Sequence, residues 1–596
     1  MACILPSLWR AEGSIIMKTI RLKTPFEPTS TPLAEYPRPQ FARDSYVTLN
    51  GEWNYAIYRK SEKFDGYQGK ILVPFSPECL LSGLPDGVIV TPTDTLYYER
   101  TFNIDQGFLK ARTFLNCDAV DYECKVIVNG KAVGEHKGGY TPFSIDITKA
   151  ILCGENKIEV IVNDPTDTSF HARGKQSSKR GGIWYTPQSG IWQSIWLESV
   201  PETYLKDVTI VPDIDRSSVT LQLVKSTPST ADIVILDNNK TVVAVRSDSD
   251  EVEIKLDNFE LWSPESPKLY DLAIKVGDDI VKSYFGMRKF SVVLDKNGIK
   301  RLALNNKPYF HTGVLDQGYW SDGMLTPPSN SALEYDVKLV KTLGFNMIRK
   351  HIKIEPMRWY YHCDKEGILV WQDMVSGGSK YKFSVIGALP FVGINLDDSN
   401  YKAFSRESAE GREEYYSDMQ ATVSRLKNCV SLAMWVPFNE GWGQFDSVKV
   451  TNALRELDST RTIDSVSGWH DQGKTTSDFK SLHIYFKPVS LPKDSRCILL
   501  SEFGGYSLKT EDHVFSPDKS FGYKIFNSPQ KLADAYEALF EKQVLPLVDK
   551  GLSATVYTQV SDVEEEINGL VTYDRKVVKF PVGRVRAINK KLTENN

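Results

Sequence analysis

The segment Ser431-Leu-Ala-Met-Trp-Val-Pro-Phe-Asn-Glu440 is an apolar run that ends in an acid. The segment Arg496-Cys-Ile-Leu-Leu-Ser-Glu502 repeats this design, and Phe-Gly-Gly505 continues it. A carboxylate is costly beside apolar surface, so a glutamate at the end of a buried strand indicates a function. In a β/α barrel the active site lies at the C-terminal ends of the strands. We therefore predict that both segments are barrel strands and that their acids face one pocket.

The rest of the chain after residue 300 alternates between strand and helix patterns. A capping box at Ser331–Glu334 predicts a helix that ends before Gly344, and further helices fit residues 357–365 and 410–427. Together with the two acidic segments, this alternation predicts a (β/α)8 TIM barrel over residues 293–596. The strands are expected near residues 308–315, 345–350, 368–371, 434, 463–466, 482–485, 498–500 and 554–558.

The half before residue 300 has the pattern of β-sandwiches. Residues 157–163 alternate apolar and polar side chains, and Asn129-Gly130 is a strong hairpin signal. Residues 189–198 are predicted to form one strand that closes the first sheet. Between residues 206 and 290 about seven strand candidates follow one another, which is typical of an immunoglobulin-like sandwich. The predicted boundaries are 1–202 for the first sandwich and 203–292 for the second.

Composition excludes several classes of protein. The net charge is −4, so no basic surface indicates nucleic-acid binding. No apolar run reaches the ~18 residues of a membrane span, and Arg10, Glu12 and Lys18 interrupt any signal-peptide core within residues 1–20. The eight cysteines are scattered without metal spacing, which favours free thiols. We expect a cytoplasmic enzyme, while the oligomeric state, including a homo-oligomer, stays open.

Two converging carboxylates indicate a particular chemistry. Cleavage of a glycosidic bond uses one carboxylate as a nucleophile and the other as a general acid and base. The environments of the two groups must push their pKa values apart. On this reasoning Glu440 and Glu502 predict a carbohydrate substrate.

Three motifs resemble those of glycoside hydrolase family 2, which contains β-galactosidases, β-glucuronidases and β-mannosidases. They are Asn439-Glu440, Ser501-Glu502-Phe-Gly-Gly505 and Ser189-Gly-Ile-Trp-Gln-Ser-Ile-Trp196. The resemblance runs from about residue 40 to 585. It implies a jelly-roll domain, an immunoglobulin-like domain and a catalytic barrel, in the order inferred above.

The resemblance also implies roles for individual residues. It makes Glu440 the acid/base and Glu502 the nucleophile of a retaining exo-β-glycosidase. Asn439 would hydrogen-bond the 2-hydroxyl of the sugar, and Tyr485 would donate to the nucleophile. Arg349 would help to hold the nucleophile ionised, since a nearby guanidinium lowers a carboxylate pKa.

Further candidates for sugar binding depart from the family pattern or have a structural alternative. His351 stands one place early for the family motif, and Asp373 stands where many members have Asp-Glu. For His351, Asp373 and His483, structural hydrogen bonding and sugar contact are both open. Trp469 fits either the core or a sugar platform, and Gln317 is expected near the pocket because it follows the first barrel strand.

The sequence also carries signals for the sugar, for a metal and for two loop segments. Glucuronidases need a cation for the substrate carboxylate, and the resemblance implies that an Asn-x-Lys near the barrel mouth would supply it. No Asn-x-Lys follows a late barrel strand here, so glucuronides are disfavoured, and β-galactosides are favoured narrowly over β-mannosides. The Glu-x-His of magnesium-dependent relatives is absent after Asp373, so no metal and no cofactor is expected. The insertion 376–409 is a candidate lid or subsite wall, and Asp164 either reaches the barrel mouth or caps a turn. A carbohydrate-binding protein without catalysis is the alternative from another class.

Overall fold

The computed structural model describes residues 19–594. The prediction about a signal peptide in residues 1–20 falls almost entirely outside this range, as does Cys3, and both stay predictions. The seven other cysteines are free thiols. No helix in the described range has both the length and the apolar composition needed to cross a bilayer.

The first domain is a sandwich of antiparallel sheets. The predicted hairpin at Asn129-Gly130 is confirmed, since φ is +49° and +75° at these residues and the flanking strands pair. The six-stranded sheet has the order Gly69–Val73, Gly51–Arg59, Asp94–Ile104, Gly154–Asn163, Glu123–Val128, Lys131–Lys137. The four-stranded sheet has the order Tyr46–Thr48, Ile195–Val200, Arg112–Cys117, Phe143–Asp146, and Gly190–Ile191 pairs separately with Val120–Asp121.

The single strand predicted over residues 189–198 is wrong. Two strands, Gly190–Ile191 and Ile195–Val200, replace it, and the second lies inside its sheet rather than at an edge. The break lies at Trp192 and Gln193, between the two strands, where both side chains make hydrogen bonds to other segments. The Trp192 indole donates to the Gly139 carbonyl at 2.8 Å, and the Gln193 amide donates to the Ile354 carbonyl of the barrel at 3.0 Å.

The second domain is an immunoglobulin-like sandwich with the expected seven strands. One sheet contains Leu205–Asp213, Ser218–Lys225 and Glu251–Lys255, and the other contains Lys240–Ser247, Ala231–Asp237, Tyr270–Val276 and Asp279–Phe285. Their inward side chains form one apolar core. A small sheet of Phe290–Leu294, Lys300–Leu304 and Lys307–Pro308 then leads into the third domain.

The third domain is a nearly closed barrel of eight parallel strands, as the sequence predicts. The strands are β1 His311–Asp316, β2 Met347–Lys350, β3 Leu369–Asp373, β4 Leu432–Val436, β5 Thr462–Ile463, β6 Phe479–Ile484, β7 Cys497–Gly504 and β8 Leu552–Thr558. The ladder has the order β5-β4-β3-β2-β1-β8-β7-β6. Phe438–Asn439 and Val466–Ser467 pair beyond the ends of β4 and β5 and so raise the rim there.

The helices surround this barrel. They are α1 Asn330–Thr342, α2 Met357–Glu366, α3 Leu389–Phe391, α4 Ala409–Leu426, α5 Ser447–Leu457, α6 Pro529–Leu539, α7 Leu545–Val548 and α8 Val582–Glu594. The capping box predicted at Ser331 is two residues late. Ser329 caps α1, because its hydroxyl accepts from the Ala332 amide at 3.2 Å. Gly344, at φ +82°, ends this helix region as predicted.

A segment of the first domain, residues 164–186, lies on the mouth of the barrel. Ala172 bridges Gly377, and the amides of Arg173 and Gly174 both donate to the Ser376 carbonyl at 2.9 Å. Asp164 itself caps a turn, since its carboxylate accepts from the Thr166 amide at 2.6 Å. The first domain therefore reaches the barrel mouth through the residues that follow this turn.

Candidate active site

Glu440 and Glu502 lie in one buried pocket at the C-terminal ends of the barrel strands. Glu502 belongs to β7, and Glu440 follows the short strand Phe438–Asn439 above β4. A carboxylate oxygen of each lies within 4.8 Å of the other, and both lie within the same distance of a His483 nitrogen. The backbone of Glu440 has φ +48°, a conformation that is uncommon for residues other than glycine and is found at functional sites. The fold thus brings together the two acids that the sequence predicted.

Glu502 is surrounded by hydrogen-bond donors. The Tyr485 hydroxyl donates to its Oε2 at 2.5 Å, and Nη1 of Arg349 donates to its Oε1 at 3.1 Å. Nε2 of His483 lies 3.6 Å from Oε1. Burial raises the pKa of Glu502, but the charges of His483 and Arg349 outweigh it and hold the pKa at about 2. Glu502 is therefore ionised across the neutral range.

Glu440 has a different environment. Its carboxylate pairs with Nδ1 of His483 at 2.7 Å, and its backbone amide donates to the Ser467 carbonyl at 3.0 Å. Burial raises its pKa, the hydrogen bond to His483 opposes this, and the charge of Glu502 raises the pKa further. The net shift is upward. The pKa values of the two glutamates are thus shifted in opposite directions, as the roles of one acid and one nucleophile require.

Arg349 organises the floor of the pocket from β2. It is fully buried and binds both oxygens of Asp373, with Nε at 2.9 Å and Nη2 at 3.0 Å. Its Nη2 also donates to Oδ1 of Asn439 at 2.8 Å. A planar guanidinium with this bidentate partner is held rigidly. Arg349 therefore fixes Glu502 and Asn439 relative to each other, and the Nδ2 amide of Asn439 has no hydrogen-bond partner among the described residues.

His351 and Asp373 lie one layer behind the glutamates. Nδ1 of His351 pairs with Oδ2 of Asp373 at 2.7 Å, so both Asp373 oxygens are engaged by His351 and Arg349. Burial lowers the pKa of His351 to about 4. Of the two possibilities left open by the sequence, structural hydrogen bonding describes Asp373, whose side chain is 1% exposed.

His483 lies between the two acids. Its Nδ1 pairs with Glu440, and its Nε2 contacts the Ser467 hydroxyl at 2.9 Å. Ser467 in turn donates to Ser501, which precedes Glu502, at 3.0 Å. The histidine side chain is completely buried. Its position makes it a link between the acids rather than a solvent-facing sugar ligand.

The aromatic rim of the pocket involves the insertion at residues 376–409. Trp469 is half-buried, and its ring lies 6.4 Å from that of His483 and 5.6 Å from that of Phe391 in the insertion. Phe391 also lies 6.1 Å from Phe486, and these two rings are 48% and 65% exposed. The insertion thus forms part of a pocket wall beside His483. Trp371 and Trp435, by contrast, are core residues with no exposed surface.

Gln317 does not join this group. Its amide donates to Gln559 at 2.7 Å, and Gln559 donates onward to Asn568 at 2.8 Å. The described structure places neither glutamate in hydrogen-bond contact with it. Tyr557, at the end of β8, is also fully buried and packs in the barrel core.

Sequence reasoning missed three residues at the pocket. Trp442 follows Glu440 by two positions, and its ring lies 5.8 Å from His351. Trp184 and Lys175 come from the first domain, where Trp184 lies 5.3 Å from Trp442 and the Lys175 ammonium lies 5.4 Å from the same ring. Trp442 could have been suggested by its position, since it follows Glu440 by two residues, just after the same strand segment. Nothing local in the sequence indicates that residues 175 and 184 meet the barrel.

One group of acidic and histidine side chains in residues 19–594 is compact enough to suggest a metal, namely Glu440, His483 and Glu502. Tetrahedral zinc at bonds of about 2.0–2.1 Å holds its donors about 3.3 Å apart. The 2.7 Å contact between Glu440 and His483 is instead a hydrogen-bond distance. The donor set fits a proton-sharing pair better than a metal centre.

Comparison with protein families matches three models along the chain. Residues 83–201 match "Glycosyl hydrolases family 2, sugar binding domain", residues 203–288 match "Glycosyl hydrolases family 2", and residues 296–493 match "Glycosyl hydrolases family 2, TIM barrel domain". The barrel match includes Glu440 and ends before Glu502.

Curated relatives carry two kinds of name. A beta-galactosidase of Thermoanaerobacter pseudethanolicus is 25% identical over 441 residues, covering 70% of this chain and 55% of the relative. A putative beta-glucuronidase of Formosa agariphila is 25% identical over 391 residues, covering 62% of this chain and 34% of the relative. The chain thus spans about half or less of the length of these relatives.

Solved structures share the fold over nearly their whole length. A beta-glucuronidase of Dictyoglomus thermophilum has a TM-score of 0.71 at 19% identity, covering 94% of this chain and 98% of that one. A beta-galacturonidase of Eisenbergiella tayi bound to galacturonate has a TM-score of 0.67 at 18% identity, covering 94% and 99%. At such identities the likeness establishes the three-domain architecture.

Proposed function

This chain belongs to glycoside hydrolase family 2, and we propose that it hydrolyses terminal β-linked sugars with retention of anomeric configuration. One observation carries the proposal: the buried acids Glu440 and Glu502 bring carboxylate oxygens within 4.8 Å and have oppositely shifted pKa values. Retaining glycosidases hold their carboxyl groups about 5–5.5 Å apart, whereas inverting enzymes leave about 6.5–9.5 Å for a water. The close pair favours retention.

In the first step Glu502 attacks the anomeric carbon. Its low pKa keeps the carboxylate ionised, and the bond to the leaving oxygen breaks as the new carbon–oxygen bond forms. Glu440, whose pKa is raised by burial, gives its proton to the leaving oxygen. The products of this step are the free aglycone alcohol and a glycosyl ester on Glu502.

In the second step Glu440, now ionised, takes a proton from water. The resulting hydroxide equivalent attacks the anomeric carbon, and Glu502 leaves as a carboxylate. Each displacement inverts the carbon once, so the sugar is released with its original configuration. Glu440 regains its proton, and both side chains return to their starting states.

The residues around the acids support this assignment. Tyr485 and Arg349 donate to Glu502, which stabilises it as an anion both before attack and when it leaves. The unpartnered Nδ2 of Asn439 is a free donor next to the nucleophile, as expected of a group that binds the 2-hydroxyl.

For the sugar, the sequence predicts β-galactosides, with β-mannosides and β-glucuronides as alternatives. The relatives named beta-galactosidase support β-galactosides. The relative and the solved structures named beta-glucuronidase support β-glucuronides. The catalytic proposal does not depend on this choice.

A panel of 4-nitrophenyl β-glycosides, followed by proton NMR of the best substrate, tests the proposal. We expect release of nitrophenol from one or more sugars, with the β-anomer as the first product. A first-formed α-anomer would contradict the retaining mechanism. Silence on every sugar, with sugar binding retained, would favour the non-catalytic carbohydrate-binding alternative.

A further inference from the structure

Lys175 is a buried lysine without an anionic partner. Four lysines in residues 19–594 are buried as whole residues, namely Lys175, Lys350, Lys353 and Lys579. Lys225 buries only its side chain, which pairs with Asp250 at 3.0 Å. Lys350 and Lys353 both bind Glu355, at 2.7 and 2.8 Å, and Lys579 binds Asp562 at 2.6 Å. The Lys175 ammonium has neither an ion pair within 4.0 Å nor a hydrogen bond to any described residue. A buried unpaired charge costs stability, so its retention needs a reason.

The surroundings of Lys175 compensate its charge only in part. The ammonium lies 5.4 Å from the centre of the Trp442 ring and 5.6 Å from that of Tyr185. Such cation–π contacts are weaker than the ion pair with full hydrogen bonding that a desolvated ammonium can make. The ammonium is not sealed from water, unlike the unpartnered Nε1 of Trp442. It therefore keeps some accessible surface, through which an anionic group can reach it.

The ammonium lies near Glu440. Trp442, against which the ammonium lies, follows Glu440 by two residues and contacts His351. Burial raises the pKa of Glu440 and lowers that of His351, and the positive charge of Lys175 lowers both. A cation whose charge acts on both Glu440 and His351 lies at the Glu440 end of the site, within reach of a substituent on a sugar bound to the two acids.

The backbone of Lys175 is fixed in place. Its carbonyl accepts from the Tyr185 amide at 3.0 Å, and the neighbouring Gly174 amide donates to Ser376 of the barrel. Gly174 has φ +60°, and a Cβ there would meet the Ile352 carbonyl at 3.0 Å, so only glycine fits this close approach. The ammonium is thus presented by a built segment and not by a free surface chain.

We propose that Lys175 binds a carboxylate carried by the sugar ring, so that the preferred substrates are β-linked uronides. This rests on the proposed glycosidase function and names its substrate class. A uronide differs from the neutral glycoside only in having a carboxylate where the other has a hydroxymethyl group. The carboxylate would complete the missing ion pair, whereas a hydroxymethyl group would leave the ammonium without its charge partner. The first domain would thereby supply the cation that the late barrel strands lack.

The test compares matched substrates and variants. The substrates are 4-nitrophenyl β-galacturonide against β-galactoside and β-glucuronide against β-glucoside. We expect the wild type to prefer one uronide over its neutral counterpart by at least about tenfold in kcat/KM. Lys175→Met should remove that preference, lowering kcat/KM for the uronide at least about tenfold more than for its neutral counterpart. Lys179→Met, an exposed lysine of the same segment, is the control and should leave both rates unchanged.

Two further measurements keep the proposal separate from folding and from catalysis. Lys175→Met should melt at or above the wild-type temperature, because it removes an unpaired buried charge, and Lys175→Arg should retain part of the uronide preference. Calorimetry with free galacturonate and glucuronate tests binding without turnover. Binding of a uronate that Lys175→Met abolishes would support the inference even if no glycoside were cleaved, an outcome that would count against the glycosidase proposal alone. Equal loss on acidic and neutral sugars, or a preference for neutral sugars in both assays, would overturn it.

Discussion

The surroundings of Glu502 and of Glu440 differ in almost every respect although the two side chains are the same. Glu502 lies within β7, at a point where the pairing register shifts against both neighbouring strands, and accepts hydrogen bonds from Arg349 and Tyr485. Glu440 follows a strand with φ +48° and meets a single histidine. Both are buried, yet the pKa of one is held at about 2 and that of the other is raised.

Burial alone does not decide the charge of these two acids. Burial raises both pKa values, and the number of cationic and hydrogen-bonding donors determines the net direction. The donors around Glu502 come from β2 and from just after β6, and they converge because the C-terminal ends of the barrel strands surround one mouth. Chemistry at this site is therefore a property of the fold as well as of the two glutamates.

The largest expected effect separates the two acids. Glu502→Ala removes the nucleophile, so kcat should fall by about 10⁴–10⁶. Glu440→Ala removes only the acid and base, with an expected loss of about 10²–10⁴. That second loss should shrink for 2,4-dinitrophenyl leaving groups, which need no proton. Steady-state kinetics on both leaving groups measures this, and identical losses in the two variants would erase the distinction.

Azide provides a control for the same pair of variants. Added azide should restore turnover in both, giving the α-glycosyl azide with Glu502→Ala and the β-glycosyl azide with Glu440→Ala, because each enters from the face that its missing carboxylate left open. NMR of the products reads the configuration. The reverse pattern would exchange the two roles.

Tyr485→Phe weakens the donor shell of Glu502. Removing one preorganised donor should lower kcat by about 10²–10³ and raise the pH at which the acidic limb of kcat/KM falls, since that donor lowers the Glu502 pKa. Tyr506→Phe is the matched control, because Tyr506 has no contact with either acid in the described structure. An unchanged rate in Tyr485→Phe would remove Tyr485 from the site.

His483→Asn affects both acids through one residue. Glu440 acts as an acid only while it is protonated, so kcat/KM falls as the pH rises through its pKa. Glu502 acts as a nucleophile only while it is ionised, so kcat/KM falls as the pH drops through its pKa of about 2. His483 lowers both pKa values, and its removal should move both limbs to higher pH, with a loss at the optimum of about tenfold. A pH–rate profile tests this, and a shift of either limb to lower pH would contradict it.

The smallest effect is on stability. The folded-state pKa of Glu440 is raised, so it contributes stability below its unfolded pKa and loses that contribution as pH rises through the folded value. Glu440→Gln should therefore have a melting temperature about 1–3 °C above that of the wild type at neutral pH. Near pH 4 the two melting temperatures should be equal. Scanning calorimetry at both values measures the difference. A lower melting temperature at neutral pH would show that the charge stabilises the fold.

Much of this architecture follows from local pattern. Strand alternation predicted the seven strands of the second domain, and apolar runs separated by helices predicted the eight barrel strands. Helix starts were less certain, since Ser329 and Ser331 both suit a cap and only the backbone decides between them. The two glutamates could be found because each ends an apolar run.

The parts of the pocket that were missed depend on distant chain segments. Lys175 and Trp184 reach it across a domain boundary, and no spacing in the sequence encodes that approach. The same holds for Gln317, which follows a barrel strand as expected but is engaged by Gln559. A position at the end of a strand places a residue near the pocket. The neighbouring side chains then determine which group the residue contacts.

Mass spectrometry of the protein treated with a 2-deoxy-2-fluoro glycoside bearing a good leaving group tests the central claim most directly. The fluorine slows both steps by destabilising the oxocarbenium-like transition state, and the leaving group speeds the first, so the glycosyl ester should accumulate. We predict one added sugar on the peptide that contains Glu502. A sugar attached to Glu440, or an unlabelled protein that still turns over its substrate with inversion, would contradict the account.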